Sequence, residues 1–198
     1  LSRGTVEMVK AFVGPDRSRA FAVRSSADAE DGTDSAFAGQ FETHLNVHTP
    51  EHVCDAIKKC FASLFSDNVQ SYLTSRKITK LPLMAVVIME QIDSAVAGGY
   101  FQANPVTGAT STHVVNAAPG QGEGVVSGLV QSDEFWLAAA DGTVKKRVVP
   151  AKTKRIVLAE AGGDGTREVD IPAADQSKPA LTDAQLQSLF RASQAVSR

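Results

Sequence analysis

The hydrophobic period of this chain changes at Pro82, and that change limits the folds open to it. Before it, Val53, Ala56, Ile57, Cys60, Phe61, Leu64 and Phe65 recur at i, i+3, i+4 and i+7, as in an amphipathic helix lying on a large apolar surface. Thr49 and Pro50 supply its N-cap and first-turn proline. A second helix is predicted over Asn68 to Arg76, a short helix over Val6 to Val13, a buried strand over Ala20 to Arg24 and a further strand over Glu42 to Val47. After Pro82, apolar or alternating runs of strand length take over at 83–92, 98–103, 113–118, 135–139, 143–149 and 155–158. Asp141-Gly142 marks a hairpin turn among them. Residues 161–165 read as a loop, 173–179 as a linker, and 181–196 as a last helix capped by Thr182 or Asp183. Helices first and antiparallel strands later predict an α+β chain rather than a βαβ series. The division expected is a helix-rich segment over 1–82 and a sheet segment over 83–198.

Composition narrows the classes of function. The 198 residues suffice for one domain or two small lobes with a sizeable core. A net charge of -2 gives no general attraction to nucleic acid or to an anionic membrane. No apolar run reaches the roughly 18 residues a bilayer span needs. The first residues, LSRGTVEMVKAF, begin on Leu and lack a signal peptide's apolar centre, so the chain reads as a piece of a longer protein. Cys54 and Cys60 lie six apart in one predicted helix and point to different faces. They read as reduced core residues in a cytoplasmic setting.

The stretch FAVRSSADAEDGTDSAFAGQ, Phe21 to Gln40, gathers the chemistry most suggestive of a ligand. Arg24 closes a strand and is followed by Ser25 and Ser26; a guanidinium makes two parallel hydrogen bonds to phosphate oxygens, and hydroxyls or loop amides take others. A strand-end arginine is equally an ordinary surface residue. Asp28, Glu30, Asp31 and Asp34 would repel an anion without an intervening cation, and otherwise form a solvated loop. The small-residue segment Ala36 to Gln40 lets backbone amides approach a phosphate closely, or forms a plain connection; it has no P-loop lysine. With two glycines and one large apolar anchor, Phe37, residues 31–39 are expected to move when no nucleotide is bound.

Gly120-Gln121-Gly122-Glu123-Gly124 has the spacing GxGxG, not the GxGxxG of a dinucleotide fold. Its Glu123 is a candidate for approaching a metal or ribose, or for capping the short segment after it. His44, His48 and His52 are spaced by four, but a strand and Pro50 interrupt any helix through them. The run Lys145, Lys146, Arg147, Lys152, Lys154 and Arg155 reads as a solvated face without the aromatics of an RNA surface. No nucleophilic triad or zinc constellation can be assembled, and no metal ligand is assigned.

FAVRSSADAEDGTDSAFAGQFETHLNV, then Met84 to Ile92, AGGYFQANPVTG and NAAPGQGEGVVSGLVQSDEFWL resemble, in the same order, the nucleotide-binding domain of the phosphoenolpyruvate synthase and pyruvate phosphate dikinase family. That family includes rifampicin-type antibiotic phosphotransferases. The resemblance covers most of Ala20 to Leu137 and implies the middle portion of an ATP-grasp-like module, with ATP between two α+β lobes and Mg²⁺ as companion. It implies phosphate contacts from Arg24, Ser25 and Ser26, a covering loop ending in Ala38, Gly39 and Gln40, and an adenine hinge at Met89, Glu90, Gln91 and Ile92. Glu123 joins the nucleotide set. The sequence departs from the family at Met89 and Glu90, where a glutamine and a basic residue are usual, and at Gln102, where threonine is common.

The reaction implied is transfer from ATP to an enzyme histidine and then to pyruvate, giving phosphoenolpyruvate, AMP and phosphate. An antibiotic acceptor, or a non-catalytic ATP-binding module, are the alternatives. The phosphohistidine domain, the acceptor domain, an ATP-contacting lysine and the metal-holding segment are expected outside these 198 residues, so the chain alone is expected to be inactive.

Overall fold

A computed structural model describes residues 1–27, 41–76, 78, 81–160 and 163–196. The predicted phosphate loop, including Ala38, Gly39, Gln40 and the 31–39 segment expected to move, lies outside them. Helices and antiparallel strands are mixed as the change of period implied, in an α+β chain. It forms two compact units, Leu1–Ile92 with Leu158–Thr166, and Asp93–Val157 with Arg167–Arg198.

In the first unit, α1 (Arg3–Val13) and α2 (Pro50–Ser63) pack on a three-stranded antiparallel sheet of order β2-β1-β3, where β1 is Phe21–Ala27, β2 Thr43–Val47 and β3 Met84–Glu90. Each helix starts where a hydroxyl satisfies an otherwise orphaned amide: Ser2 Oγ accepts from Thr5 N at 3.1 Å, and Thr49 Oγ1 from His52 N at 3.2 Å. The helical period then buries Val53, Ala56, Ile57 and Cys60 against Val9, Val13, Phe21 and Val23. α2 ends at Ser63, before Phe65, which is exposed. The following α3 (Asp67–Ser75), capped by Ser66, packs Val69 and Leu73 with Phe41, Tyr72 and Ile78.

The second unit is a four-stranded antiparallel meander of order β4-β5-β6-β7: β4 Val96–Phe101, β5 Thr112–Pro119, β6 Asp133–Ala138 and β7 Val144–Val148. The predicted Asp141-Gly142 hairpin joins the last two, with Gly142 at φ +73° and Asp141 Oδ1 accepting from Thr143 N at 2.8 Å. A five-residue helix, α4 (Gly122–Val126), follows β5, and the last helix, α5 (Asp183–Val196), opens on a capping box in which Thr182 Oγ1 accepts from Gln185 N and Gln185 Oε1 from Thr182 N. Its Leu186 and Phe190 close the core over Val115, Ala117, Phe135 and Leu137. A two-stranded ribbon of β8 (Lys154–Leu158) and β9 (Thr166–Asp170) completes the chain's elements.

The basic run is not uniformly solvated. Lys152 is fully buried, donating to Asp133 Oδ1 at 2.5 Å and to Pro150 O at 3.2 Å, while Asp133 Oδ2 accepts from Ala180 N at 2.6 Å. Burying that lysine is tolerated because an equally buried carboxylate faces it. Lys145, Lys146 and Arg147 do lie on the exposed β7, the outer strand of the sheet.

Candidate functional site

The alternation of side chains along β1 sorts the Arg-Ser-Ser motif into two groups. Phe21, Val23 and Ser25 are buried toward the helices, Ser25 at 2% exposure, whereas Arg24 and Ser26 are exposed on the opposite face. Register carries this face across the sheet. Arg24 pairs with Val87 of β3 and with Thr43 of β2; Ser26 pairs with Ala85, and Ala22 with Met89. Directly paired residues of antiparallel strands share a face. The surface turned away from α1 and α2 therefore carries Arg24, Ser26 and Thr43 in one patch, with Val87 and Met89 beside it, all five exposed. The other face of β3 presents Val86 and Ile88 to an apolar groove of about 500 Å³ with Met8, Phe12 and Phe61.

β3 is the outer strand of this sheet. Gln91 N donates to Ala20 O at 2.8 Å, so the main-chain groups of Gln91 face β1. Antiparallel alternation then turns those of Glu90 outward, away from β1. An outward N–H and C=O pair is what an edge-on heterocycle can read. The Glu90 carboxylate is 3.4 Å from Arg19 Nε, Gln91 Nε2 donates to Ile92 O at 3.0 Å, and Ile92 is exposed.

Beneath the polar patch, Cys60 Sγ donates to Glu42 O at 3.5 Å, and Ser25 N donates to the same carbonyl at 3.4 Å. Burial, with Glu42 as a second cause, pushes this thiol up to about 11. Both cysteines are free and buried.

Glu123 belongs to the second unit, in the five-residue helix α4 (Gly122–Val126) that follows Gly120. Gly120 has φ +93°, and a Cβ there would stand 2.1 Å from Ile156 O, so this turn requires glycine. Ser127 N donates to Glu123 O at 2.9 Å, and the buried Gln121 reaches Asp93 at 3.2 Å. Among the described residues no three His, Cys, Asp or Glu side chains converge as a metal site. The three spaced histidines do different work: His44 Nε2 is 3.1 Å from Glu42, His52 Nδ1 2.7 Å from Asp164, and His48 contacts main-chain carbonyls.

Thr43 is absent from the residues the motif suggested. Its signal was the strand beginning near Glu42: paired antiparallel with the Arg24 strand, that strand brings a hydroxyl opposite the guanidinium, but only once the register is known.

Among the described residues this sheet face bears one guanidinium, two hydroxyls and an apolar flank, groups that can hydrogen-bond phosphate oxygens and pack on a ring. Residues 4–198 match the pyruvate phosphate dikinase, AMP/ATP-binding domain family, and the chain belongs to it. It is 42% identical over 167 residues to a rifampicin phosphotransferase of Streptomyces sviceus, covering 84% of this chain and 19% of the relative. A prodigiosin-synthesizing transferase of Serratia marcescens is 36% identical over 170 residues, covering 86% and 19%. The phosphoenolpyruvate synthase of Pyrococcus furiosus is 35% identical over 183 residues, covering 88% and 22%. The chain thus spans about a fifth of the length of the relatives it matches.

Proposed function

We propose that this chain binds ATP on the exposed face of the β2-β1-β3 sheet, as the nucleotide-binding part of an ATP-grasp-like, dikinase-type phosphotransferase. The observation that carries the reading is the convergence of Arg24, Ser26 and Thr43 on one face, with Val87 and Met89 flanking them. Arg24 would hold phosphate oxygens through its planar fork, the hydroxyls would take others, and the outward main chain of β3 would meet the adenine edge. Glu123 is kept as a candidate nucleotide contact on its place in the glycine-rich turn of residues 120–124. Because no three His, Cys, Asp or Glu side chains converge among the described residues, we assign the entry of Mg²⁺ to the nucleotide.

The reaction we favour passes a phosphoryl group from ATP to a histidine of another domain and then to pyruvate. Relatives named for rifampicin and prodigiosin make a different acceptor the second reading. In either case the histidine and acceptor domains are the partners, and nucleic acid and membrane are not. Two buried free thiols accord with a cytoplasmic setting. Turnover is assigned to a longer protein, since the matched part is only 19% of the first relative; AMP formed from ATP by the purified 198-residue chain would contradict that.

Hydroxyl-radical footprinting tests the binding face. Met89 and Met8 are both exposed, at 45% and 68%, but Met8 lines the groove on the helix side. ATP should protect Met89 from oxidation and leave Met8 unchanged. Equal oxidation of Met89 with and without ATP would remove the face from consideration.

A further inference from the structure

His48 has a hydrogen-bond acceptor at each ring nitrogen. Its Nδ1 lies 3.1 Å from Arg17 O and 3.0 Å from Arg19 O, and its Nε2 lies 3.1 Å from Asn46 Oδ1. Asn46 cannot turn its amide to donate to that ring. Its Nδ2 already donates to Ala159 O at 3.2 Å and Gly163 O at 2.8 Å, and a reversed amide would set its oxygen against both carbonyls. Main-chain carbonyls at Nδ1 and a fixed amide oxygen at Nε2 each call for an N–H. A neutral imidazole has one, and an imidazolium has two.

We infer that His48 is a charged clasp: as imidazolium it ties the 17–19 turn to the end of β2, and through Asn46 it holds Ala159 and Gly163 against β2. Asn46 itself is buried and adopts φ +58°, a left-handed backbone that a surrounding hydrogen-bond frame must maintain. The same loop is held by a second histidine, because His52 Nδ1 meets Asp164 Oδ2 at 2.7 Å, and Gly165 N donates to Leu45 O at 2.9 Å. The charged groups on the surrounding elements are Asp16, Arg17 and Arg19 on the turn, Glu51 and His52 at the start of α2, and Glu160 and Asp164 on the loop. Arg19 is engaged with Glu90, and Asp16 with Ser18. Deprotonation leaves a lone pair facing either the carbonyls or the Asn46 oxygen, so the clasp is complete on the acid side and opens as His48 loses its proton.

The test is a pair of measurements on one ¹⁵N-labelled sample of the chain. Long-range nitrogen–proton NMR should show both His48 nitrogens protonated, and amide exchange at Gly165 should speed up as the His48 signal titrates. The lost charge-assisted hydrogen bond predicts a loss of protection of about 10- to 100-fold. His52→Ala should retain this dependence, which separates the two histidines. His48→Gln, which cannot donate on both sides, should exchange fast at every pH. A neutral His48 with one bare nitrogen while Gly165 stays protected would overturn the inference. So would protection that does not follow the His48 titration.

Discussion

Arg24 and Thr43 face each other across one ladder position, and each can be asked separately what it does. Arg24→Lys keeps the charge and loses the fork. Under the proposed dikinase function, it should slow the ATP-to-histidine half-reaction of the intact protein by roughly 30- to 1000-fold, the effect of about 2–4 kcal/mol of lost phosphate positioning. The histidine-to-acceptor half should be nearly untouched. Isotope exchange measured for each half separately decides it, and wild-type exchange in the first half would make Arg24 a structural residue. Cys60 below them makes a prediction of the opposite kind. Its thiol is held up to about 11 against an ordinary 9.0, so between those values the unfolded chain releases a proton that the folded chain keeps. Stability contributed by this group is lost as pH rises through that window, by on the order of 2 kcal/mol. Wild type should lose more denaturant resistance across it than Cys60→Ala, and parallel losses would exonerate the thiol. The sequence exposed Arg24 plainly. It could not sort Ser25 from Ser26, because only the pairing of β1 reveals which side of the strand the helices cover.

Among the elements, those with a strong period were legible and the short ones were not. The spacing of Val53, Ala56, Ile57 and Cys60 located α2, while its apparent continuation through Phe65 ended at Ser63, whose Oγ folds back to Cys60 O at 2.7 Å. α4 has five residues, too few for a period, and β9 reads TREVD, whose acids answer Lys154 rather than a core. The texture change at Pro82 fell inside a unit, because β3 pairs with β1 over seven register positions. Lys152 was hidden for a related reason: its neighbours in sequence are exposed bases, and its partner Asp133 is distant in sequence. Lys152→Met should therefore cost about 3–5 kcal/mol, since it strands a buried carboxylate. Equilibrium unfolding in urea measures this, and a loss below about 1 kcal/mol would mean the pair is not dry.

For the whole molecule, acid is predicted to act through the second unit. His113 is 6% exposed, Tyr100 Oη sits 2.7 Å from its Nδ1, and Phe190 lies 5.7 Å away, centroid to centroid. Burial holds this imidazole below its ordinary 6.5. In the unfolded chain it takes up a proton near that value while the folded chain resists, so its share of stability is present above 6.5 and is lost as pH falls. His113→Gln should flatten the acid limb of the stability curve followed by thermal unfolding; an unchanged limb would assign acid sensitivity to the carboxylates. The two units have separate cores, and their boundaries are set by contacts that no local pattern carries.

The first unit is written in the gene in two instalments, Leu1–Ile92 and then Leu158–Thr166. Asn46 receives the carbonyls of Ala159 and Gly163 only from the second. During synthesis at about 5–20 residues per second, that amide waits for several seconds with its partners still unmade. The nascent first unit must therefore persist half-finished on the ribosome while most of the second is being translated. A stop codon before Ala159 releases a β2 whose left-handed Asn46 lacks both carbonyls that its amide donates to, which predicts that such truncations are cleared by proteases rather than accumulating as stable pieces.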